Sequence, residues 1–387
     1  MEISILTKHD LEAAEQIWLA LEKELHPTSI TCRWDLIETW LELYGDVVDY
    51  WFIVGSVEDE AAGIMLITKE THRSLPLPVA AYHMGTNGEP FSDAVQIKNG
   101  KILVKKGLEK EFYAGILEAI TTFKWEEIVL DDFDAEVADG FVAAFRLSSA
   151  HGKPGAVKIA IERNECQFMN LAKIRKEGIS VLDAFSNDTR YSIRRSIKAL
   201  GNDISVEWAE DDVQAQDILD ELITLYNQNW HKRGKRGMFA SERFTRFQYG
   251  IIKELFDTGS LLLCRVKSKE YGTLGCIYML VDDGVAYGYQ IGLLDFTDID
   301  LKTINKKRLR VGFIVHALCM QESLDRGIDA YNFGVGDYGY KHELTNEVSK
   351  VVSVSIKRGL KPSLRDSIVK LYLKSEVIQK IKAMIRL

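Results

Sequence analysis

The feature that most limits what this chain can fold into is an internal repeat. "MEISILTKHDLEAAEQIW" at the start and "GNDISVEWAEDDVQAQDIL" from Gly201 match in register: Ile3, Ser4, Ile5, Asp10, Ala14 and Ile17 fall on Ile204, Ser205, Val206, Asp211, Ala215 and Ile218. In both, apolar alternation of the strand period gives way to helical spacing. The parallel continues through the element order. The first half reads as a strand, helices over about 10–25 and 33–44, strands near 50–56, 62–68 and 78–84, a helix near 108–123 and the strand "EEIVLDDF". The second half repeats it: helices over about 212–231 and 241–256, strands "SLLLCRVKS", "LGCIYMLVD" and "VAYGYQIG", a helix over about 310–326 and the strand "DAYNFGV". A further strand, "KVVSVSIKR", follows. One order written twice predicts two lobes of a mixed-sheet α/β (α+β) fold.

None of the six prolines lies between Pro154 and Pro362, so 207 consecutive residues are free of helix breakers. We therefore divide the chain into an N-terminal lobe (1–165), a C-terminal lobe (166–360) and an amphipathic C-terminal helix (361–387). At 46% hydrophobic and 27% charged the composition is that of a soluble globular protein. The longest apolar runs, "GIMLIT" and "LLLC", fall far short of the roughly 20 residues a membrane helix needs, and "MEISILTKHD" has no signal-peptide pattern. Five scattered cysteines read as reduced thiols of a cytoplasmic protein, and the eight histidines show no metal-ligand spacing, so no metal is expected. A net charge of −8 argues against nucleic-acid binding. Residues 1–160 hold 14 basic and 27 acidic residues against 35 and 30 in 161–387, but seven of those bases and two acids lie in the last 27 residues. Residues 161–360 are therefore neutral, and only local clusters point to an anionic ligand.

Four stretches of the second half carry a family resemblance: "DTRYSIRRSIKALG", "NQNWHKRGKRGMF", "RVGFIVHALCMQESLDRGIDAYNF" and "GDYGYKHEL". They resemble the Arg-rich helix, the Trp–basic–Gly segment, the loop–helix–strand and the acidic–aromatic–Lys segment of cellulose-biosynthesis-type acetyltransferases. These are double-GNAT acyltransferases related to the FemABX peptidyltransferases. More loosely, "CRWDLIETWLELYG" and "YHMGTNGEPFSDAVQI" fit the N-terminal lobe. The resemblance implies a tandem GNAT-like fold with a degenerate first lobe, acetyl-CoA or another acyl-CoA as co-substrate, and an amine or hydroxyl of a saccharide acceptor. Three positions depart from the pattern. Val311 stands where a Pro is common, Asn332 where an Asp is common, and the Gly-rich pyrophosphate signature is reduced to "RLRVGF".

"LKTINKKRLRVGFIV" sets Lys302, Lys306, Lys307, Arg308 and Arg310 before and at a helix start, with Gly312 just inside. Helix N-termini suit phosphates. The resemblance implies that this segment holds the pyrophosphate and 3′-phosphate of CoA; the plainer alternative is a solvated basic loop. Tyr287, Tyr289 and Gln290 alternate around Gly288 on a strand that, in a GNAT fold, parts from its neighbour to accept pantetheine; otherwise the tyrosines are sheet aromatics. Arg190, Arg194 and Lys198 recur every four residues, stacking three cations on one helix face, with Arg195 displaced. They meet an acidic acceptor or phosphate, or pair with acids of the negative half. Trp230, His231 and Arg233 suit a docking sugar or nucleotide, and His231 is either a general base or ordinary surface.

"YNFGVGDYGYKHEL" gathers proton-moving groups behind Gly334 and Gly336. In a GNAT fold this segment faces the thioester. There Asp337 would orient or deprotonate the amine, Tyr340 would serve the leaving sulfur, Lys341 would hold an anionic group, and Tyr338 would line the acceptor side. The alternative is a satisfied polar turn. In the tail, Leu364, Ile368, Leu371, Val377, Ile378 and Ile381 share one helical stripe, read as packing or as a peripheral membrane contact. The reading is a cytoplasmic acyltransferase of polysaccharide biosynthesis. Its rivals are a FemABX-like enzyme using aminoacyl-tRNA and a non-catalytic scaffold that kept the fold.

Overall fold

A computed structural model describes residues 1–70, 77–148, 157–297, 299, 308–336 and 339–374. The chain forms two compact units, one of Met1–Trp34, Trp40–Arg163 and Val352–Leu387, the other of Asp35–Thr39 and Asn164–Val351. The first contains β1 (Glu2–Leu6), α1 (Leu11–Glu24), most of α2 (Trp34–Tyr44), β2 (Tyr50–Val57), β3 (Glu60–Lys69), β4 (Ala81–Met84), β5 (Leu103–Val104), α3 (Glu109–Thr121), β6 (Glu127–Asp134) and α4 (Ala135–Leu147). β7 (Val157–Asn170) leads into α5 (Leu171–Glu177), α6 (Val181–Ala184), α7 (Asn187–Ala199), β8 (Ile204–Trp208), α8 (Asp212–Lys232) and α9 (Glu242–Leu255). Then come β9 (Leu261–Ser268), β10 (Gly272–Asp282), β11 (Val285–Leu293), α10 (Val311–Asp325), β12 (Ala330–Val335) and α11 (Gly339–Leu344). β13 (Glu347–Arg358) begins in the second unit and ends in the first, followed there by α12 (Lys361–Lys374).

The mixed α/β class and its duplicated order are as predicted. In the first unit the strands run β1-β2-β3-β4-β6, and in the second β8-β9-β10-β11-β12-β7. Ile3 to Ile5 and Ile204 to Val206, matched in sequence, lie on the edge strands β1 and β8, each antiparallel to its neighbour. Each unit contains a parallel pair, β4 with β6 and β11 with β12, joined by three rungs in each case. The first core gathers Phe112, Ile116 and Ile120 of α3 with Phe141 and Phe145 of α4. The second wraps α10, through Phe313, Ile314, Ala317 and Met320, against Val266, Leu274 and Ile277. Burying α10 all round explains why its sequence is apolar without a polar face.

The sequence reading misses α4, although Asp134 caps it by accepting from the Glu136 and Val137 amides. The cysteines are all buried and unbridged. Among the described residues no helix is long and apolar enough to cross a membrane, and no group of three or more His, Cys, Asp or Glu could hold a metal.

Candidate active site

The site begins where β11 and β12 part. Their parallel ladder pairs Val285 with Ala330, Ala286 with Tyr331 and Tyr287 with Asn332, and then stops. β11 continues to Leu293 along β10, where a bulge sets Gln290 opposite Tyr278 and Gly288 opposite Met279, leaving Tyr289 as the extra residue. β12 follows β7 instead. The bend in β12 needs glycine at Gly334, whose φ is +68°. Asn332, at the position where an Asp is common, secures the bend by accepting from the Gly334 amide at 2.8 Å.

Side chains around the bulge are tied down. Gln248 of α9 donates through Nε2 to the Tyr289 hydroxyl at 3.1 Å, and the Tyr289 ring meets Tyr278 edge to face. Tyr278 and Gln248 are fully buried, and burial pushes the Tyr278 phenol pKa well up. Tyr289 thus points toward α9, while Gln290 and Tyr287 are half-buried.

α10 starts beside this opening. Phe313 and Ile314 donate to the Arg310 carbonyl, leaving the Val311 and Gly312 amides without an intrahelical acceptor. The loop ahead of them is held by α7: Arg195 Nη2 donates to the Arg308 carbonyl at 2.9 Å, and the Arg310 amide donates to Ser196 Oγ at 3.2 Å. Arg195, set aside in the sequence reading, is therefore the arginine of α7 that meets this loop. Arg190 instead braces α6, donating to the Asp183 and Phe185 carbonyls, while Arg194 and Lys198 are exposed. Arg308 is exposed. The Arg310 guanidinium lies 4.6 Å from the Phe313 ring centre and 3.6 Å from Glu343. Lys302, Lys306 and Lys307 lie outside the described residues, as do Asp337 and Tyr338.

The end of α8 is pinned to the end of β11. Asn229 Nδ2 donates to the Leu293 carbonyl at 2.7 Å, and Lys232 pairs with Asp295 at 2.9 Å. Thr297 and Lys232 hold the Asp295 carboxyl down to about 2. Trp230 packs on Tyr226 with the Arg233 guanidinium 5.8 Å from its ring centre. His231 is exposed. Gly237 is required here, because a Cβ would lie 2.2 Å from the Tyr226 ring.

Behind the tip of β12 lies a cluster that the sequence reading found only in part. Lys341 is 3% exposed, and its Nζ donates to the carbonyls of Phe333, Gly334 and Val335 at 3.0, 3.0 and 3.2 Å. The geometry gives this ammonium to the bend of β12. His316 of α10 places Nδ1 2.9 Å from the Tyr331 hydroxyl and its ring 4.7 Å from Phe333. Burial, with the Lys341 charge, lowers His316 to about 3, so it is neutral near pH 7. Tyr340, 39% exposed, lies nearly parallel to the His316 ring at 6.4 Å. A lone histidine in an otherwise apolar helix was the signal that could have found His316.

The equivalent place in the first unit differs. Ala81, Tyr82 and His83 of β4 pair with Glu127, Ile128 and Val129 of β6, but β4 ends at Met84. His83 Nδ1 lies 2.7 Å from Asp131. Burial alone would lower its pKa; the Asp131 hydrogen bond and charge raise it. Glu89, 2% exposed, accepts from the Val95 amide, and burial pushes it up to about 7. α3 opens on Glu109 and Glu111, and the Glu109 carboxylate accepts from the Gly107 amide.

Residues 187–342 match the acetyltransferase (GNAT) domain family. No curated protein is matched. Among solved structures the chain is similar to FemX, with 12% identity, a TM-score of 0.55 and coverage of 94% of this chain and 98% of that one. It is also similar to the C-terminal domain of a putative lysylphosphatidylglycerol synthetase from Agrobacterium fabrum, at 10% identity and a TM-score of 0.53, covering 93% and 96%. The chain therefore has the GNAT-like fold shared with FemX, and its second unit carries the acetyltransferase (GNAT) domain match.

Proposed function

We propose that the second unit transfers an acetyl or other acyl group from acyl-CoA to an amine, or a hydroxyl, of a sugar or polysaccharide precursor, as cellulose-biosynthesis-type acetyltransferases do. The observation that carries this reading is the parting of β11 from β12 after Tyr287 and Asn332, beside the first-turn amides of α10 that have no intrahelical acceptor among the described residues. The parted backbone suits the amide-bearing pantetheine arm, and the Val311 and Gly312 amides suit a pyrophosphate. Arg308 adds an exposed cation at that helix start, and Arg195 holds its backbone in place.

In the reaction the acceptor nitrogen attacks the thioester carbonyl carbon, the C–S bond breaks, and the proton shed by the amine balances the one taken up by the thiolate. Tyr340 is the candidate donor to the sulfur, with Asp337 as base toward the amine. His316 is neutral and bonded to Tyr331, so it serves as a floor under Tyr340 rather than as the base. The acidic first turn of α3 disfavours a pyrophosphate in the first unit and supports one active site per chain.

An aminoacyl-tRNA-dependent reaction would call for a broad basic surface, which a neutral 161–360 segment does not supply. The test is thiol release from acetyl-CoA with a panel of amino sugars. Release that depends on an acceptor and falls in Tyr340→Phe supports the proposal. Acceptor-dependent transfer from aminoacyl-tRNA alone would replace it.

A further inference from the structure

Two thiols in the core of the second unit lie close enough to bond. Cys264 of β9 and Cys319 of α10 place their Sγ atoms 2.7 Å apart. That is inside the ~3.5–4.0 Å at which heavy atoms sharing no bond come to rest. A shift of about 0.7 Å would bring the sulfurs to the ~2.0 Å of an S–S bond. Cys264 is 2% and Cys319 0% exposed, and both are free thiols in this structure.

Strand register explains why these two meet. Cys264 stands directly opposite Ile277 of β10, so the two side chains share a face of the sheet. Both belong to the core that wraps α10, as does Cys319. Cys276 precedes Ile277 and therefore projects from the opposite face, where Glu221 of α8 acts on it. The sheet thus offers one of its two neighbouring thiols to α10 and withholds the other. Burial pushes the Cys319 thiol pKa well above its ordinary value, with Cys264 adding to the shift. The thiolate that attacks a disulfide is therefore scarce in the closed core. Exchange belongs to a chain that is folding or has opened locally, and the fold then decides which sulfurs stay joined.

We infer that Cys264 and Cys319 form a disulfide site that fastens α10 to β9, with a small-molecule disulfide such as oxidised glutathione as co-reactant. One cysteine thiolate attacks that disulfide and releases one small thiol. The other cysteine attacks the mixed disulfide at the protein sulfur and releases the second. Two protein thiols are oxidised, one small disulfide is reduced, and the two protons leave on the released thiols. The bridge joins residues 55 apart, and the loop it closes contains β10 and β11. The inference does not rest on the acyl-transfer reading.

The test refolds the full chain from urea in buffers of reduced and oxidised glutathione, followed by acid quenching, alkylation of the unfolded chain and mass spectrometry. Two of the five cysteines should escape alkylation, and one peptide pair should join Cys264 to Cys319. Half-bridging should need at least about tenfold less oxidising glutathione in native buffer than in urea, because the folded chain holds the sulfurs together. The bridged protein should melt roughly 5–15 °C above the same protein reduced with dithiothreitol. Cys276→Ser should keep the bridge, and Cys319→Ala should lose it. Five alkylated cysteines after refolding, glutathione left on single cysteines, or a bridge to Cys276 overturns the inference. So does half-bridging at the same poise in buffer and in urea, or a bridged protein that melts no higher than the reduced one. These last measurements use the wild-type chain, so a variant that fails to fold does not spare the inference.

Discussion

Lys341→Met separates a structural lysine from a ligand-binding one. Methionine keeps the length of the side chain and removes its charge and donors. The Lys341 ammonium is 3% exposed and reaches three carbonyls within 3.2 Å. Those carbonyls belong to half-buried residues, so water would recover part of what is lost. At about 1 kcal/mol for each forfeited hydrogen bond, below the roughly 1.5–3 kcal/mol of a charged donor because water recovers part, the second unit should lose about 3 kcal/mol. In a domain of this size that lowers Tm by roughly 6–12 °C. A second signature is electrostatic. The Lys341 charge helps to hold His316 down, so removing it should raise the His316 pKa from about 3. Urea melts and the imidazole resonances followed through an acid titration read both effects. If Lys341→Met melts like wild type while the acceptor KM rises, the ammonium faces a ligand and the bracing role is wrong.

Three further outcomes follow from the same geometry. Tyr340→Phe should lower kcat by about 10²–10⁴-fold with CoA affinity and Tm nearly unchanged if the hydroxyl serves the leaving sulfur; full activity would move the proton work elsewhere. Glu89 has a folded pKa of about 7 against an ordinary 4.5, so its contribution to stability is fully present below pH 4.5 and is lost as pH rises through about 7. Glu89→Gln, which keeps an oxygen for the Val95 amide, should gain up to about 3 kcal/mol over wild type by pH 8 and little at pH 4, read by urea melts. Gly334→Ala, at φ +68°, should cost about 1–2 kcal/mol; an unchanged Tm would show that the bend of β12 is not held as described.

Much of this architecture could be read from the chain because the sequence states it twice, once in each unit. The alternation in Ile3 to Ile5 and in Ile204 to Val206 marks edge strands with one face packed, and that period survives in sequence. The helix starting at Val311 was legible for the opposite reason, since burial on every side writes a continuous apolar run. The site was less legible. Arg190 and Arg195 look alike in a helical projection, yet Arg190 braces α6 and Arg195 holds the loop before α10. The partners of Arg190 lie five and seven residues before it, but that of Arg195 is Arg308, 113 residues on, and only the fold brings that segment to α7. Lys341 drew attention as a charge among glycines, but its burial under three carbonyls is a tertiary fact with no local signature. The parting of β11 from β12 was expected from the resemblance alone. The residues show only Gly288 and Gly334, which permit the opening without announcing it.

The central claim, that the second unit binds acyl-CoA at the start of α10, is tested most directly by calorimetric titration of the full chain with CoA and with dephospho-CoA. About one CoA should bind per chain. Arg308→Glu should weaken CoA far more than dephospho-CoA if that guanidinium meets the 3′-phosphate, and both alike if it meets the pyrophosphate. No detectable binding of CoA by the wild-type protein, or two equivalent sites per chain, would contradict it.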